Sequence, residues 1–278
     1  MNPTNCLNCR AELATSQRFC ADCGQKTATH RITLPHFLHE FFHAFTHADK
    51  GVFHLLKELT LHPGLVAREY IGGKRKKYFN PFTFFLLVMA VFVFASTMLT
   101  KTLPEVKPDP AIIARIPTAE GKAAYIATME RAGNAVVFMS KYGNVVGMIA
   151  VPFLSLITWL CFRRKGYNYG EHLTANLLFT SYNNLVFALF IIPLEAVWKS
   201  LNANQWLIAC GLTFHAIYLS WGLSGFLLMR GFRKRLVVFL VSLMATALWM
   251  LLSITAMSVY IYQNKNFYHF ILRTLGLD

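Results

Sequence analysis

From residue 81 onward the chain alternates long apolar runs with short polar breaks. Five runs, near 81–100, 143–162, 173–197, 206–229 and 236–262, carry few charges. A helix of about 20 apolar residues crosses roughly 30 Å of hydrocarbon. The pattern therefore predicts an all-α, polytopic membrane protein with about five transmembrane helices. Upstream, the period changes. Over His36–Leu61 the residues follow a helical repeat: His36, His39, His43, His47 and His54 fall within roughly 80° of one another on the helix wheel. Phe41, Phe45, Val52, Leu56 and Leu59 lie opposite, so this stretch is an amphipathic helix, bent near Gly51. The first 26 residues show neither period. Four units follow: a small zinc-ribbon-like knuckle at 1–26, amphipathic interfacial helices with a basic end at 27–80, a helical bundle at 81–262, and a short tail at 263–278. Within the bundle, 101–142 is read as an extracytoplasmic loop, with a helical stretch over 117–140.

Charge gives the runs a direction. Lys74-Arg75-Lys76-Lys77 precedes the first, Arg163-Arg164-Lys165 separates the second from the third, and Arg230, Arg233, Lys234 and Arg235 separate the fourth from the fifth. With five crossings these clusters share one side. Basic residues mark the cytoplasmic side, so the N-terminus is expected in the cytoplasm and the C-terminus outside. Residues 1–30 lack the apolar core of a secretory signal, so the first span is expected to act as the insertion signal itself.

Composition agrees. The chain is 55% hydrophobic and only 14% charged, against about 25% charged in soluble domains. The net charge of +14 fits contact with anionic lipid better than nucleic-acid binding. Arg68, Lys74, Arg75, Lys76 and Lys77 are the candidate residues for lipid headgroups or phosphate. Tyr70, Tyr78 and Phe79 supply interface anchors, and Gly72-Gly73 ends a helix begun after Pro63.

Two motifs bear on metals. Cys6–Cys9 and Cys20–Cys23 form C-x2-C-x10-C-x2-C, and four thiolates close a tetrahedron around one Zn2+ with no open position for water. A structural site of this kind is expected to serve as a docking module for a protein partner. The second motif is HEFFH at His39–His43, which matches H-E-x-x-H. A hydrolase would use His39 and His43 as ligands, His47 or Asp49 as a third, and Glu40 to activate water. The dense histidine stripe makes the match unsurprising, and a solvated helix face explains it more simply.

The segment with DKG at 49–51, KEL at 57–59, HPG at 62–64 and REYIGGKRKKYFNP at 68–81 resembles domain-of-unknown-function family 3667, bacterial membrane proteins of which many carry an N-terminal cysteine knuckle pair. The likeness is good over roughly 1–100 and loose beyond. It implies a membrane location and brings no activity or catalytic residue with it.

Inside the runs, Asn183, Asn184 and His215 are the candidate intramembrane polar residues, because buried amides need partners in hydrocarbon. Asn168, Tyr169, Glu171 and His172 form a polar entry to the third span, placed to cap that helix or to contact the cytoplasmic head. The expected class is a non-enzymatic binding or scaffold protein at the membrane surface. A small transporter or lipid-handling protein is the alternative, and a membrane metalloprotease the third reading.

Overall fold

A computed structural model describes residues 5–14, 17–28, 33, 51–99, 106–198 and 204–263. The HEFFH motif and most of the histidine stripe, with His39, His43 and His47, lie outside the described residues, as does the tail after Gln263.

The described part is helical apart from the cysteine head. Helices α1 (Val52–Leu61) and α2 (Pro63–Ile71) form a hairpin around His62. Pro63 starts α2, where its missing N–H costs nothing. Gly72 caps the end of α2, and Gly73 turns the chain away with φ +109°. Gly51 is a turn residue at the N-cap of α1 rather than part of a helix, and the rest of the helix expected over His36–Leu61 lies outside the described residues.

Asn80 then caps α3 (Pro81–Leu99), its Oδ1 accepting from Phe82 N at 2.9 Å and Thr83 N at 3.2 Å. The stretch expected as a loop at 101–142 is largely helix. After α4 (Pro110–Arg115), α5 runs from Ala119 to Phe162 without a break. Its 44 residues span about 66 Å at about 1.5 Å per residue. The expected 117–140 helix and the second span are thus one rod. Thr118 begins it, accepting from Gly121 N at 3.1 Å. Polarity changes along the rod while its helical backbone continues, past even Pro152.

A left-handed Gly166 (φ +83°) turns the chain into α6 (Tyr169–Val186). Asn168 and Glu171 form the expected cap as a reciprocal box, 2.9 Å and 2.7 Å. The third span then widens into a π turn at Phe187–Ile191 before α7 (Ile192–Trp198). Pro193 has no N–H for the Leu189 carbonyl, and the wide turn sits where that bond is missing. Helices α8 (Asn204–Phe226) and α9 (Phe232–Tyr262) complete the bundle.

Among the described residues, four helical segments are long and apolar enough to cross a membrane: Pro81–Leu99, Val145–Lys165, Tyr169–Leu194 and Phe232–Tyr262. The remaining expected span, the fourth along the chain, corresponds to α8, a continuous helix of 23 residues. It is not one of those four, and some side chains at its start lie outside the described residues.

Side-chain pairs fix the helix directions. Phe82 shares a buried cluster with Leu173 and Leu177, so α3 and α6 start at the same end. Gly211 meets Phe187 and Gly222 meets Phe179, so α8 runs opposite to α6. Phe153 packs on Trp249 and Arg131 reaches Ile261, so α9 runs opposite to α5. These directions gather the ends carrying 74–77, 163–165 and 230–235 together.

The α1–α2 hairpin packs into this end of the bundle. Leu55, Leu59, Val66 and Ala67 are wholly buried with Leu178, Leu219, Leu223 and Phe226. Tyr218 donates to the Leu59 carbonyl at 2.9 Å, and the Thr60 and Tyr182 hydroxyls meet at 2.9 Å. Neighbouring helices rather than lipid cover the apolar face of α1, while His54 and Lys57 stay exposed.

Candidate metal centre and the basic loop beneath it

Each C-x2-C pair closes a tight knuckle. Arg10 N donates to the Cys6 carbonyl at 2.8 Å, and Gly24 N to the Cys20 carbonyl at 2.9 Å. Backbone bridges Asn5–Glu12 and Phe19–Lys26 tie the flanks of the two knuckles. Both turns need a left-handed residue: Gly24 has φ +68° and Arg10 φ +67°. Arginine therefore takes a conformation that suits glycine, and Asn5 Nδ2 supports it by donating to the Arg10 carbonyl at 3.2 Å.

The four sulfurs lie within 4.8 Å of one another. Cys6–Cys23 and Cys9–Cys20 are each 3.6 Å apart, and none forms a disulfide. Four Zn–S bonds of about 2.3 Å in a tetrahedron put sulfurs about 3.8 Å apart, so the cluster fits a zinc-sized ion. Burial raises the Cys23 thiol, but hydrogen bonding from Asn8, the Gln25 backbone and the neighbouring thiols outweighs it and brings the group down to about 6. These donors thus favour a thiolate at Cys23, while at Cys9 the Ala11 backbone lowers the thiol but is outweighed by burial and the neighbouring thiols, which push it up to about 12.

One residue after Gly24, Gln25 leaves the knuckle and reaches across the chain. Its Nε2 donates to the Gly73 carbonyl, and its Oε1 accepts from Lys76 N at 2.9 Å. The side chain is 3% exposed. In turn, Cys20 N donates to the Gln25 carbonyl at 2.8 Å, so a ligand residue positions the residue that holds the loop. Sequence reading missed Gln25, because its partners lie 48 and 51 positions away.

The loop that Gln25 grips is the basic segment. Its five candidate cations are not equivalent. Lys74 and Lys77 each place Nζ 2.7 Å from a Glu69 carboxylate oxygen. Tyr78 donates to the same carboxylate at 2.7 Å. Burial pushes the Glu69 carboxyl up, but these three donors prevail and hold it at about 2. Lys77 is raised mainly by Glu69 and also lies 4.9 Å over the Tyr78 ring. Arg68 and Arg75 are half-buried, while Lys76 is exposed. Arg163, Arg164, Lys165, Arg230, Arg233, Lys234 and Arg235, at the same end of the bundle, are all exposed.

A second polar group lies inside the bundle. Asn176 Nδ2 donates to Ser155 Oγ at 3.2 Å and Thr158 Oγ1 at 2.9 Å, and His172 Nδ1 meets Thr158 Oγ1 at 3.2 Å. His172, Asn176, Thr180 and Asn183 are at most 4% exposed. They follow one face of α6, since successive offsets of four, four and three residues stay within about 80°. Each carries a buried polar atom without a hydrogen-bond partner: His172 Nε2, Asn176 Oδ1, Thr180 Oγ1 and Asn183 Oδ1. Of the three residues expected from sequence, Asn183 belongs to this row. Asn184 is half-buried beside it, and His215 sits half-buried on α8 with no described hydrogen bond to either. Ser155, Thr158 and Asn176 were the missed members, and His172 was read only as part of the polar entry to the span; a search for polar pairs at i, i+3 and i, i+4 finds them.

Residues 49–93 match the family model described as "Protein of unknown function (DUF3667)". The matched stretch holds the hairpin, the Glu69 cluster and most of α3. Among curated proteins and among solved structures, none matches this chain.

Proposed function

We propose that this chain, similar over its hairpin and basic loop to a family of membrane proteins, is a non-enzymatic scaffold of a bacterial inner membrane. In this reading Cys6, Cys9, Cys20 and Cys23 hold a structural zinc on the cytoplasmic side. The zinc-ribbon-like head then presents a basic surface to anionic headgroups and a docking face to a protein partner. Its partners are thus acidic lipid and protein rather than nucleic acid. The observation that carries it is Gln25, which bonds both sides of the Gly73–Lys76 turn. Metal supplies the covalent-like closure that a head of this size lacks in core. Closure sets Gln25, Gln25 sets the turn, and the turn leaves Lys76 outward while Glu69 takes Lys74 and Lys77.

The test is metal content together with loop protection in the full chain. Purified protein should contain one zinc, lost when Cys6 and Cys20 are changed to serine. In the same variant the Lys76 amide should exchange with solvent faster. Zinc-independent protection at Lys76, or a metal-free protein with an ordered head, overturns the reading. A second zinc that disappears with His39→Ala and His43→Ala would revive the hydrolase.

The row His172–Asn176–Thr180–Asn183 favours a second reading, a small transporter. Polar atoms buried without partners at membrane depth are costly and commonly mark pathways. Cysteines placed at Asn183 and Asn184 should then react with water-soluble thiol reagents. Protection at both positions leaves only interhelical bonding.

A further inference from the structure

At the end of the bundle away from the cysteine head, α5 and α9 separate around a cavity of about 750 Å3. This is within the range of about 300–1,000 Å3 found for small-molecule sites. Its walls are almost wholly apolar, with Phe138, Met139, Trp249, Leu252 and Met257 the large contributors and Asn134, Ser253 and Tyr260 the polar ones. Arg131 stands one helical turn from Asn134 and bridges to α9: its Nε donates to the Ile261 carbonyl at 2.6 Å and its Nη2 to Thr128 Oγ1 at 3.2 Å. Ile261 adjoins Tyr260, so the guanidinium lies beside the polar end of the apolar space, next to its lining residues. Both of its hydrogen bonds go to neutral oxygens. Among the described residues no carboxylate pairs with it.

An apolar slot beside a guanidinium that no described carboxylate neutralises complements an amphiphile with an acyl chain and an anionic head. The cavity also sits at the correct level. It lies along α9, which is apolar as far as Tyr262, and Arg131 lies level with the last turn of that helix, where hydrocarbon gives way to headgroups. We propose that the α5–α9 cavity binds one anionic phospholipid from the bilayer leaflet opposite the cysteine head, with its acyl chain along Trp249 and its phosphate on Arg131. Arginine suits this role because its planar fork meets phosphate oxygens in pairs. Asn134 supplies a further donor beside it.

Trp249 makes the site readable. The full-length protein with the other four tryptophans changed to phenylalanine goes into phosphatidylcholine vesicles, and dibrominated phosphatidylglycerol or dibrominated phosphatidylcholine replaces part of the lipid. Bromine quenches Trp249 on contact. One basic residue near a membrane surface is worth about a fivefold preference for anionic lipid. Phosphatidylglycerol should therefore quench at about one-fifth the mole fraction that phosphatidylcholine needs. Arg131→Gln should abolish that preference while bromolipid still quenches, and Ala256→Phe, which fills the cavity, should weaken quenching by both lipids. Added inorganic phosphate should leave the preference intact. Equal quenching by the two lipids in the parent protein overturns the proposal, because bulk lipid then fills the space. So does quenching that first appears when residues 264–278 are removed, because that segment of the chain would then be the occupant. Arg131→Lys, which keeps the charge, should retain most of the preference. If it behaves like Arg131→Gln while both fold normally by circular dichroism, the anchoring role fails.

Discussion

Gly64 is where two backbones come closest. A Cβ built there would lie 2.4 Å from both Cα and C of Gly225 and 2.5 Å from Phe226 N. Ordinary contacts of this kind are about 3.5–4 Å, so Gly64→Ala demands that α2 and α8 part by roughly 1 Å. Neither can yield cheaply, since Val66, Ala67, Leu223 and Phe226 are wholly buried around the crossing. Overpacking a tight core costs about 1–3 kcal/mol, and contact between backbones puts this case at about 3. Alanine returns up to about 1 kcal/mol in helix propensity. The net loss is therefore about 2 kcal/mol, or about 4–8 °C in melting temperature for a chain of this size. Thermal unfolding in detergent, followed by near-ultraviolet circular dichroism, reads it. The control is Gly147→Ala on α5, where an added Cβ meets nothing within 4 Å and stability should hold or rise. Gly225→Ala, with its nearest clash at 3.0 Å, should fall between the two. A Gly64→Ala protein that melts with the parent, or with Gly147→Ala, refutes the claim that this glycine is held by space.

Further outcomes are expected elsewhere. The Glu69 carboxyl sits at about 2 against an ordinary 4.5, so it stabilises the fold fully above about 4.5 and loses that effect as pH falls toward 2. The shift corresponds to about 3 kcal/mol at about 1.4 kcal/mol per unit, cut to about 1–2 by solvent around the two lysines. An acid titration monitored by fluorescence should show this slope, and Glu69→Gln should lack it. Arg10→Gly relieves a left-handed arginine worth about 1 kcal/mol, so the head should bind zinc several-fold more tightly in a competition with a chromogenic chelator. Asn176→Leu should cost under about 1 kcal/mol in detergent melting, because interhelical hydrogen bonds in membranes average about 0.6 and Ser155 and Thr158 keep their own backbone acceptors. A loss of several kcal/mol would mean that the buried row bears more than packing.

Legibility in the sequence followed the range of the interaction. The two knuckles were readable because their geometry is set within four residues, down to the awkward place of Arg10. The cap at Asn168–Glu171 and the helix end at Gly72-Gly73 were local too. The burial of α1 was only half readable: periodicity says which face is apolar, not whether lipid or another helix covers it. The basic segment was overcounted because one acid, Glu69, lies five and eight positions before the lysines it holds, in a different element. Helix α5 was cut in two because hydropathy falls at its middle, and hydropathy is not what makes backbone bonds. The row on α6 was only partly readable because the adjacent pair Asn183-Asn184 is conspicuous and an isolated Asn176 is not.

The rod α5 also has a mechanical consequence. A bilayer with its headgroups is about 40–45 Å thick, so roughly a third of the rod's about 66 Å projects beyond it as a stiff lever. Pro152 sits in the embedded part, where its missing N–H weakens one rung and provides a fulcrum. A force on the projecting arm would therefore be felt as tilt at Arg163–Lys165, on the far side of the membrane.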